Sequence, residues 1–448
     1  MDEVMRSVGP VQPMTAYPTV DELNAFIDGL AAEHPTLVQI NEIGRSRAGD
    51  PIRDVQIGSG PRQLVVVGNP HPNEPIGMAT IRHLLTRLAR DGELRRGLGA
   101  TWHFVPCIDP DGTRLNEGWY RGPFTRTHVA RTVFRPPGAE QPEWSFPARW
   151  RDQEIGTPMP ETLALMKLID ATRPEFIASL HNADFGGGFF YTTGGDADYW
   201  SALTGRLLEN GVPIHQGEPD APGAGLRAPG VFELPTVAHM CDALAETGAD
   251  PLAEFTGGGA HDYTLDYGTA VLVCELPLWT DPRVSDDSPG DRPLAEVLRS
   301  TAAYHEDTAR AVSAVLDRVG PEPAVDNPFR PAVTALLGSV RNFAAAKRAA
   351  PAPERNATRA EIFAEQYQWA ALLRLRLGGM LVRMLAAESA ASPVAEAERV
   401  RFGDLFEQWC AEIEREAPGE PVPLDRLVTI QSAAIVTAAT RLRDGLPI

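Results

Sequence analysis

The sequence predicts an α/β fold, with a mixed, mostly parallel sheet flanked by helices, followed by an all-helical C-terminal region. From about residue 20 to 315, short apolar runs alternate with segments in which apolar residues recur at helical spacing, which is typical of strands joined by helices. After about residue 320 only the helical spacing continues. We therefore expect an α/β domain over residues 1–318 and a helical domain over residues 319–448.

Five apolar runs are the strand candidates, and several are nearly continuous, as in strands covered on both faces. They are QLVVVG (63–68), TWHFVPCI (101–108), FIASL (176–180), FFYTT (189–193) and AVLVCEL (270–276). The polar segments HPNE, DPDG and HNAD follow three of these runs, and Glu275 lies near the end of the last. Sites in open α/β sheets form where loops leave the carboxyl ends of strands. These polar residues are therefore candidate functional residues.

Two helices are predicted between the strands, over residues 20–34 and 75–90. The second places Pro75 at its first position, where a missing N–H group is harmless. Stretches rich in glycine and proline, at about 110–160 and 215–260, indicate long loops that cover or form a site.

Charge and composition exclude several classes of function. The net charge of −19 repels nucleic acids and anionic membranes. No stretch approaches the roughly 18 apolar residues that span a bilayer, and no basic segment with an apolar run opens the sequence. The four cysteines form no CxxC pair, which indicates reduced thiols. We expect a cytoplasmic protein with no nucleic-acid or membrane partner, and the oligomeric state stays open.

Two histidines and a carboxylate at strand ends are candidate zinc ligands. His71 and Glu74 lie three residues apart between a strand and a helix, and His181 directly follows another strand. Two histidines and one carboxylate leave one coordination position open, as in catalytic zinc sites. Taken singly, Glu74 could instead cap the helix, and His181 could be a hydrogen-bonded structural residue.

Glu275 enters the end of an apolar strand, where a carboxylate is costly to bury unless it is paired or used. One interpretation is a general base that takes a proton from water and passes it to a leaving group. The other is a salt bridge with an arginine such as Arg283.

These segments together resemble the M14 family of zinc metallocarboxypeptidases, which has the carboxypeptidase A-like fold. HPNEP resembles the family's HxxE ligand motif, and ASLHNAD resembles its second-histidine segment. DPDG (109–112) is similar to its Asn-Pro-Asp-Gly turn, and GGGAHDYTLDYGTAVLVCEL to the stretch that leads to its catalytic glutamate. The resemblance covers roughly residues 15 to 315 and leaves the helical region unexplained.

The resemblance implies one zinc ion, held by His71, Glu74 and His181, with Glu275 as base and then acid. It also implies an arginine that stabilises the oxyanion, and the match is Arg121 in GWYRG. A simple surface location is the alternative for Arg121.

The sequence departs from the family in the residues that bind substrate. The Asp-x-Asn-Arg motif, which supplies a carboxylate behind the first histidine and a pair that grips the substrate's terminal carboxylate, is missing. Arg135, or else Arg131, would then hold that carboxylate, unless both are surface charges.

The family's substrate tyrosine is also replaced, by Glu254-Phe255, so Tyr263 or Tyr267 would substitute if the role exists. His261 falls where the family sets side-chain preference, although it could equally be a hydrogen-bonding loop residue. We therefore expect Arg135, His261 and Tyr263 to bind substrate.

The expected function is hydrolysis of an amide bond, with removal of a C-terminal residue from a peptide as the main hypothesis. An amidohydrolase or deacylase acting on small N-acyl amino acids is an alternative that the lost gripping motif favours. A non-catalytic metal-binding protein that acts through its helical region is another, and the intact Glu275 argues against it.

Overall fold

A nine-stranded mixed sheet lies at the centre of the protein in a computed structural model, which describes residues 3–217, 219–248 and 250–448. Strands β1 to β9 are Val38–Arg45, Pro51–Ile57, Arg62–Gly68, Ala100–Val105, Phe176–His181, Phe189–Thr192, Leu226–Ala228, Val231–Glu233 and Ala270–Glu275. Their order across the sheet is β1-β2-β4-β3-β5-β9-β6-β8-β7.

The four central strands β4, β3, β5 and β9 are parallel to one another. Antiparallel pairing appears on both sides of them, between β1, β2 and β4 and between β9 and β6. The α/β fold with a mixed sheet is thus confirmed, and the five predicted strands are present. Strands β1 and β2 were not predicted, because polar residues such as Gln39, Asn41 and Arg53 interrupt their apolar pattern.

Helices cover both faces of the sheet. Because successive strand residues point to opposite faces, Leu64 and Val66 join one core whereas Val65 and Val67 join another. The first core also contains residues of helices Val20–Glu33, Ile76–Arg90, Ala197–Glu209 and Leu424–Arg443, and the second those of Pro160–Thr172. Pro75 was predicted to be the first residue of its helix but lies at the N-cap, and the helix begins at Ile76.

Short elements occupy the predicted long loops and the termini of the α/β part. The short α-helices are Glu3–Val8, Gly92–Leu98, Pro110–Arg114, Arg126–Thr132, Val237–Glu246, Pro251–Glu254 and Ala260–Tyr263. Single turns of 3-10 helix are Glu117–Trp119, Gly138–Glu140, Pro142–Trp144, Leu265–Tyr267 and Pro282–Ser285. Three small antiparallel ladders pair Ala148–Trp150 with Gln153–Ile155, Trp279–Thr280 with Glu420–Pro421, and Pro289–Pro293 with Asn356–Thr358.

The C-terminal region is helical, as predicted. Its helices are Leu294–Val319, Phe329–Ala349, Arg359–Phe363, Ala371–Glu388, Pro393–Glu416 and Leu424–Arg443, with a stretch of π-helix at Ala364–Ala370. Most of them share a separate core with residues of the helix Arg126–Thr132.

The last helix, Leu424–Arg443, instead packs into the main core of the sheet. Its Gln431 donates a hydrogen bond to the carbonyl of His181 and accepts one from Thr80. A division at residue 318 therefore does not separate the hydrophobic cores. Within the described residues, every helix is too short or too polar to cross a membrane.

Candidate active site

The predicted site residues meet at the carboxyl ends of β3, β5 and β9. Because β5 and β9 are parallel and in register, Glu275 lies directly beside His181. His71 and Glu74 lie in the loop after β3, which leaves the strand through Asn69 at a left-handed φ of 50°. All four side chains are buried. The sheet thus brings together the base and the three ligands that the sequence predicted.

Two groups of potential metal-binding side chains share His181 within the described part of the chain. One consists of His71, Glu143 and His181, and the other of Glu74, His181 and Glu275, with the ligand atoms of each group within 4.8 Å of one another. Nδ1 of His181 lies 3.0 Å from Oε2 of Glu74 and 3.6 Å from Oε1 of Glu275. The predicted ligand set is therefore divided between two groups joined by one imidazole.

Glu143 is a site residue that the sequence did not reveal. Its Oε2 lies 2.9 Å from Nε2 of His181 and 3.5 Å from Nε2 of His71, and its Oε1 accepts a hydrogen bond from Ser179. The 3-10 turn Pro142–Trp144 brings it there, in a stretch expected to be a covering loop. The Asp-x-Asn-Arg pattern does not mark this residue, because a glutamate faces the histidines.

The orientation of both imidazoles fits a metal centre. Each Nε2 faces Glu143, while Nδ1 of His71 is buried without a hydrogen-bond partner among the described residues. A carboxylate on one ring nitrogen fixes the tautomer and frees the other nitrogen for a metal. Nδ1 of His71, Nδ1 of His181 and the Glu74 carboxylate are a donor set that suits zinc.

The charge states of His71 and Glu74 agree with that assignment. Burial, together with the charge of Arg135, lowers the pKa of His71 to about 3, which keeps its imidazole neutral as a metal ligand must be. Burial alone would raise the pKa of Glu74, but His71, His181 and Arg135 hold it well below its usual range. Glu74 is therefore ionised at neutral pH.

Glu275 and His181 shift in the other direction. Burial raises the pKa of Glu275 well above its usual range. Burial would lower the pKa of His181, but the carboxylates of Glu143 and Glu275 raise it well above the ordinary value. A carboxylate with a raised pKa accepts a proton more readily near neutral pH, which suits the predicted base.

A cavity of about 260 Å³ opens onto these residues. Arg135 and His261, two of the predicted substrate residues, line it. Nη1 of Arg135 lies 2.6 Å from Oε1 of Glu74, beside the proposed metal ligands. The helical region contributes to the wall as well, through Gln368, Trp369, Leu372 and Arg376.

Two predicted site residues lie elsewhere, and their assignments are corrected. The side chain of Arg121 is 66% exposed and forms an ion pair with Glu22, so it cannot stabilise an oxyanion in the cavity. The hydroxyl of Tyr263 donates a hydrogen bond to Asp170 at 3.0 Å, and its ring packs against Phe146. Phe146 is among the residues that line the cavity, whereas Tyr263 is not.

The alternatives left open for other residues are also decided by their contacts. Arg131 forms an ion pair with Glu407 of the helical region, and Tyr267 donates to Asp170. Arg283 pairs with Asp281 rather than with Glu275. Glu74 forms no capping hydrogen bond, since the helix starts at Pro75 without a side-chain cap. Its partners are the residues of the site.

The zinc carboxypeptidase family model matches residues 23–270, which is more than half of the 448 residues. Zinc carboxypeptidase A 1 of Anopheles gambiae is 30% identical over 133 residues, which cover 27% of this chain and 30% of that protein. Carboxypeptidase M of Mus musculus is 23% identical over 235 residues, or 47% of this chain and 48% of that protein. The matches thus span less than half of either relative.

Several solved structures match this chain at low identity. The carboxypeptidase A of Helicoverpa armigera matches with a TM-score of 0.39 and 15% identity, over 59% of this chain and 66% of that one. A metallo-carboxypeptidase of Burkholderia cenocepacia matches with a TM-score of 0.35 and 19% identity, over 58% and 60%. Glu275 lies just beyond the matched residues 23–270, so its place in the site comes from the strand register. By its sequence match over residues 23–270, the chain belongs to the zinc carboxypeptidase family.

Proposed function

We propose that this protein is a zinc-dependent hydrolase that removes a C-terminal residue from a peptide. The observation that carries the proposal is the position of Glu275, a buried carboxylate 3.6 Å from Nδ1 of His181 and facing the cavity. A base and metal ligands fixed on neighbouring strands are what hydrolysis of an amide requires. Membership of the zinc carboxypeptidase family supports the same reaction.

Each residue of the site has a separate role in the proposed reaction. His71, Glu74 and His181 would hold one zinc ion, which when bound polarises a carbonyl and makes water more acidic. Glu275 accepts the proton of the attacking water and delivers it to the nitrogen of the departing residue. Glu143 keeps both imidazoles in orientation.

Arg135 takes the role that the resemblance gave to Arg121. Its guanidinium lines the cavity beside Glu74, where N–H groups can donate to the oxygen that becomes negative during attack. Since Arg135 is already held there by Glu74 and Asn73, it is oriented before substrate arrives.

A small N-acyl amino acid is the second candidate substrate, and the size of the cavity favours it. At about 260 Å³ the cavity is slightly below the roughly 300 to 1,000 Å³ of common ligand sites. Gln368, Trp369 and Leu372 of the helical region close one side of it. The cavity therefore accommodates an acylated amino acid more easily than a long peptide.

Three substrates distinguish these functions: an N-acetyl dipeptide with a free carboxylate, its C-terminal amide, and an N-acetyl amino acid. Cleavage of the free peptide but not of its amide supports the peptidase. Hydrolysis of the N-acetyl amino acid with the dipeptide untouched would support the second candidate instead. Zinc content, compared with that of His71→Ala, tests the metal site, and zinc-free wild-type protein would contradict both functions.

A further inference from the structure

The helical region forms part of the active-site wall, although it lies outside the residues matched by the family. Its contribution comes from the π-helical stretch Ala364–Ala370 and the first turns of Ala371–Glu388. Gln368 lies against Gly186, where an added Cβ atom would be 2.9 Å from its side chain. A π-helix is rare and is frequently found at functional sites.

Carboxylates outnumber arginines among the residues that line the cavity. Besides Glu74, Glu143 and Glu275, the acidic residues Asp184, Asp220 and Asp262 face it. Arg135 and Arg376 are the arginines among the described lining residues. Because Arg135 lies against a proposed zinc ligand, Arg376 is the guanidinium available to bind a group farther from the metal.

Arg376 is held in place but retains donor capacity. Its Nη2 lies 2.6 Å from Oδ2 of Asp184, and the two side chains are 15% and 10% exposed. Its Nε is buried and has no hydrogen-bond partner among the described residues. A guanidinium has five N–H donors, so a single carboxylate oxygen leaves most of them unused.

A second buried arginine lies beside the same carboxylate. Arg126 and Arg376 line one small adjoining cavity together with Asp184. Arg126 donates to the carbonyls of Ala417 and Tyr367, both of which are uncharged. Asp184 thus faces two guanidinium groups, of which Arg126 also feels the charge of Asp281, so Arg376 can pair with an additional anion.

The residues that follow Glu143 do not offer a guanidinium to such an anion. If Glu143 stands for the aspartate of Asp-x-Asn-Arg, Ser145 and Phe146 stand for its asparagine and arginine. Ser145 hydrogen-bonds to Thr162, and Phe146 is buried in the core below the sheet. Neither residue can bind a carboxylate as a guanidinium does.

We propose that Arg376, supplied by the helical region, binds the carboxylate of the substrate and so determines specificity for free-acid substrates. The inference rests on the proposed amide hydrolysis, for either a peptide or an N-acyl amino acid. It assigns the helical region a direct part in substrate recognition, in which the ion pair with Asp184 leaves other guanidinium N–H groups to donate to the substrate.

Binding to zinc-loaded Glu275→Gln protein tests the proposal without turnover. The probes are an N-acetyl dipeptide with a free carboxylate and its C-terminal amide, measured by calorimetry. We expect the acid to bind more tightly than the amide, and Arg376→Gln to weaken acid binding by roughly tenfold to a hundredfold, as for a lost charge-assisted hydrogen bond. Binding of the amide should hardly change.

Asp184→Asn is the matched control, because it breaks the same ion pair and leaves the arginine. We expect it to bind the acid at least as tightly as the parent protein does. Equal weakening by Arg376→Gln and Asp184→Asn would show that the pair is only structural and overturn the proposal. An acid preference that persists in Arg376→Gln would overturn it as well.

Arg376→Lys serves if Arg376→Gln does not fold, since it keeps the charge but loses the planar donor pair. It should lower the acid preference several-fold, and an unchanged preference would contradict the proposal. A wild-type protein that cleaves neither substrate would overturn the proposed function. An acid preference that depends on Arg376 would still support the binding role in that case.

Discussion

Glu275 and His181 are register partners on adjacent parallel strands, and Oε1 of Glu275 lies 3.6 Å from Nδ1 of His181. Sheet hydrogen bonds on both sides of β5 and β9 fix this relationship. Sites on regular elements hold their geometry better than sites on loops. The proposed base and one proposed metal ligand are therefore positioned by the sheet itself.

Glu143→Gln should weaken zinc binding about 10- to 100-fold, because the carboxylate behind both histidines fixes their orientation. Zinc affinity is measured by competition with a chromogenic chelator. Glu140→Gln is the control, since Glu140 lies one turn earlier and pairs with Arg47 at the surface. Equal affinities for the Glu143→Gln and Glu140→Gln proteins would refute this role of Glu143.

Arg135→Gln should lower kcat about 100- to 1,000-fold, the usual loss when an oxyanion donor is removed. Arg121→Gln should stay within about twofold of wild type, because an exposed ion pair such as that of Arg121 with Glu22 contributes little. Steady-state kinetics on proteins with matched zinc content measure both. A large loss in Arg121→Gln together with an active Arg135→Gln would restore the assignment implied by the resemblance.

Asp109→Asn should stabilise the protein at neutral pH. Burial raises the pKa of Asp109 to about 7 from 3.8, so between about pH 4 and 7 the folded protein holds a proton that the unfolded chain has lost. The stability of wild type therefore falls as pH rises through this window. Asparagine removes that titration and can still accept the hydrogen bond of the Gly112 N–H group.

Urea unfolding at several pH values measures this effect. The difference between variant and wild type should be small near pH 4 and grow to at most about 4 kcal/mol above pH 7, at about 1.4 kcal/mol per unit. A difference that does not change with pH would show that the Asp109 carboxyl does not titrate in this range.

Gly379→Ala should destabilise the protein, because an added Cβ atom would collide with the carbonyl oxygen of Ala130. This contact joins the helix Ala371–Glu388 to the helix Arg126–Thr132. We expect a loss of about 1 to 3 kcal/mol or more, as for overpacking of a core. Gly338→Ala is the control, since it has open space and should stabilise by up to about 1 kcal/mol. Equal stabilities of both variants in urea would argue against this tight contact.

The sequence predicted the site residues that lie at the ends of strands. His181 and Glu275 lie at the ends of apolar strands. The apolar run and the polar residue that ends it were therefore both visible in the sequence. Glu143 was missed because it lies in a covering loop, where only the folded chain shows that it faces two histidines. Arg376 was missed because it lies far from the site in sequence, on a helix with no motif.

The predictions for Arg121 and Tyr263 were wrong for a related reason. Both were placed by spacing from a motif across loops, and loop spacing does not fix where a side chain points. The ion pair with Glu22 and the hydrogen bond to Asp170 direct them to the surface. Strand register carries positional information that loop spacing lacks.

The kinetics and zinc content of Glu275→Gln test the central claim most directly. Glutamine keeps the shape of the side chain but cannot accept the proton of an attacking water. We expect one zinc ion per chain, as in wild type, with turnover of the free-acid dipeptide or N-acetyl amino acid reduced by at least about 100-fold, the lower end for general-base catalysis. A zinc-loaded Glu275→Gln protein with wild-type turnover would contradict the account.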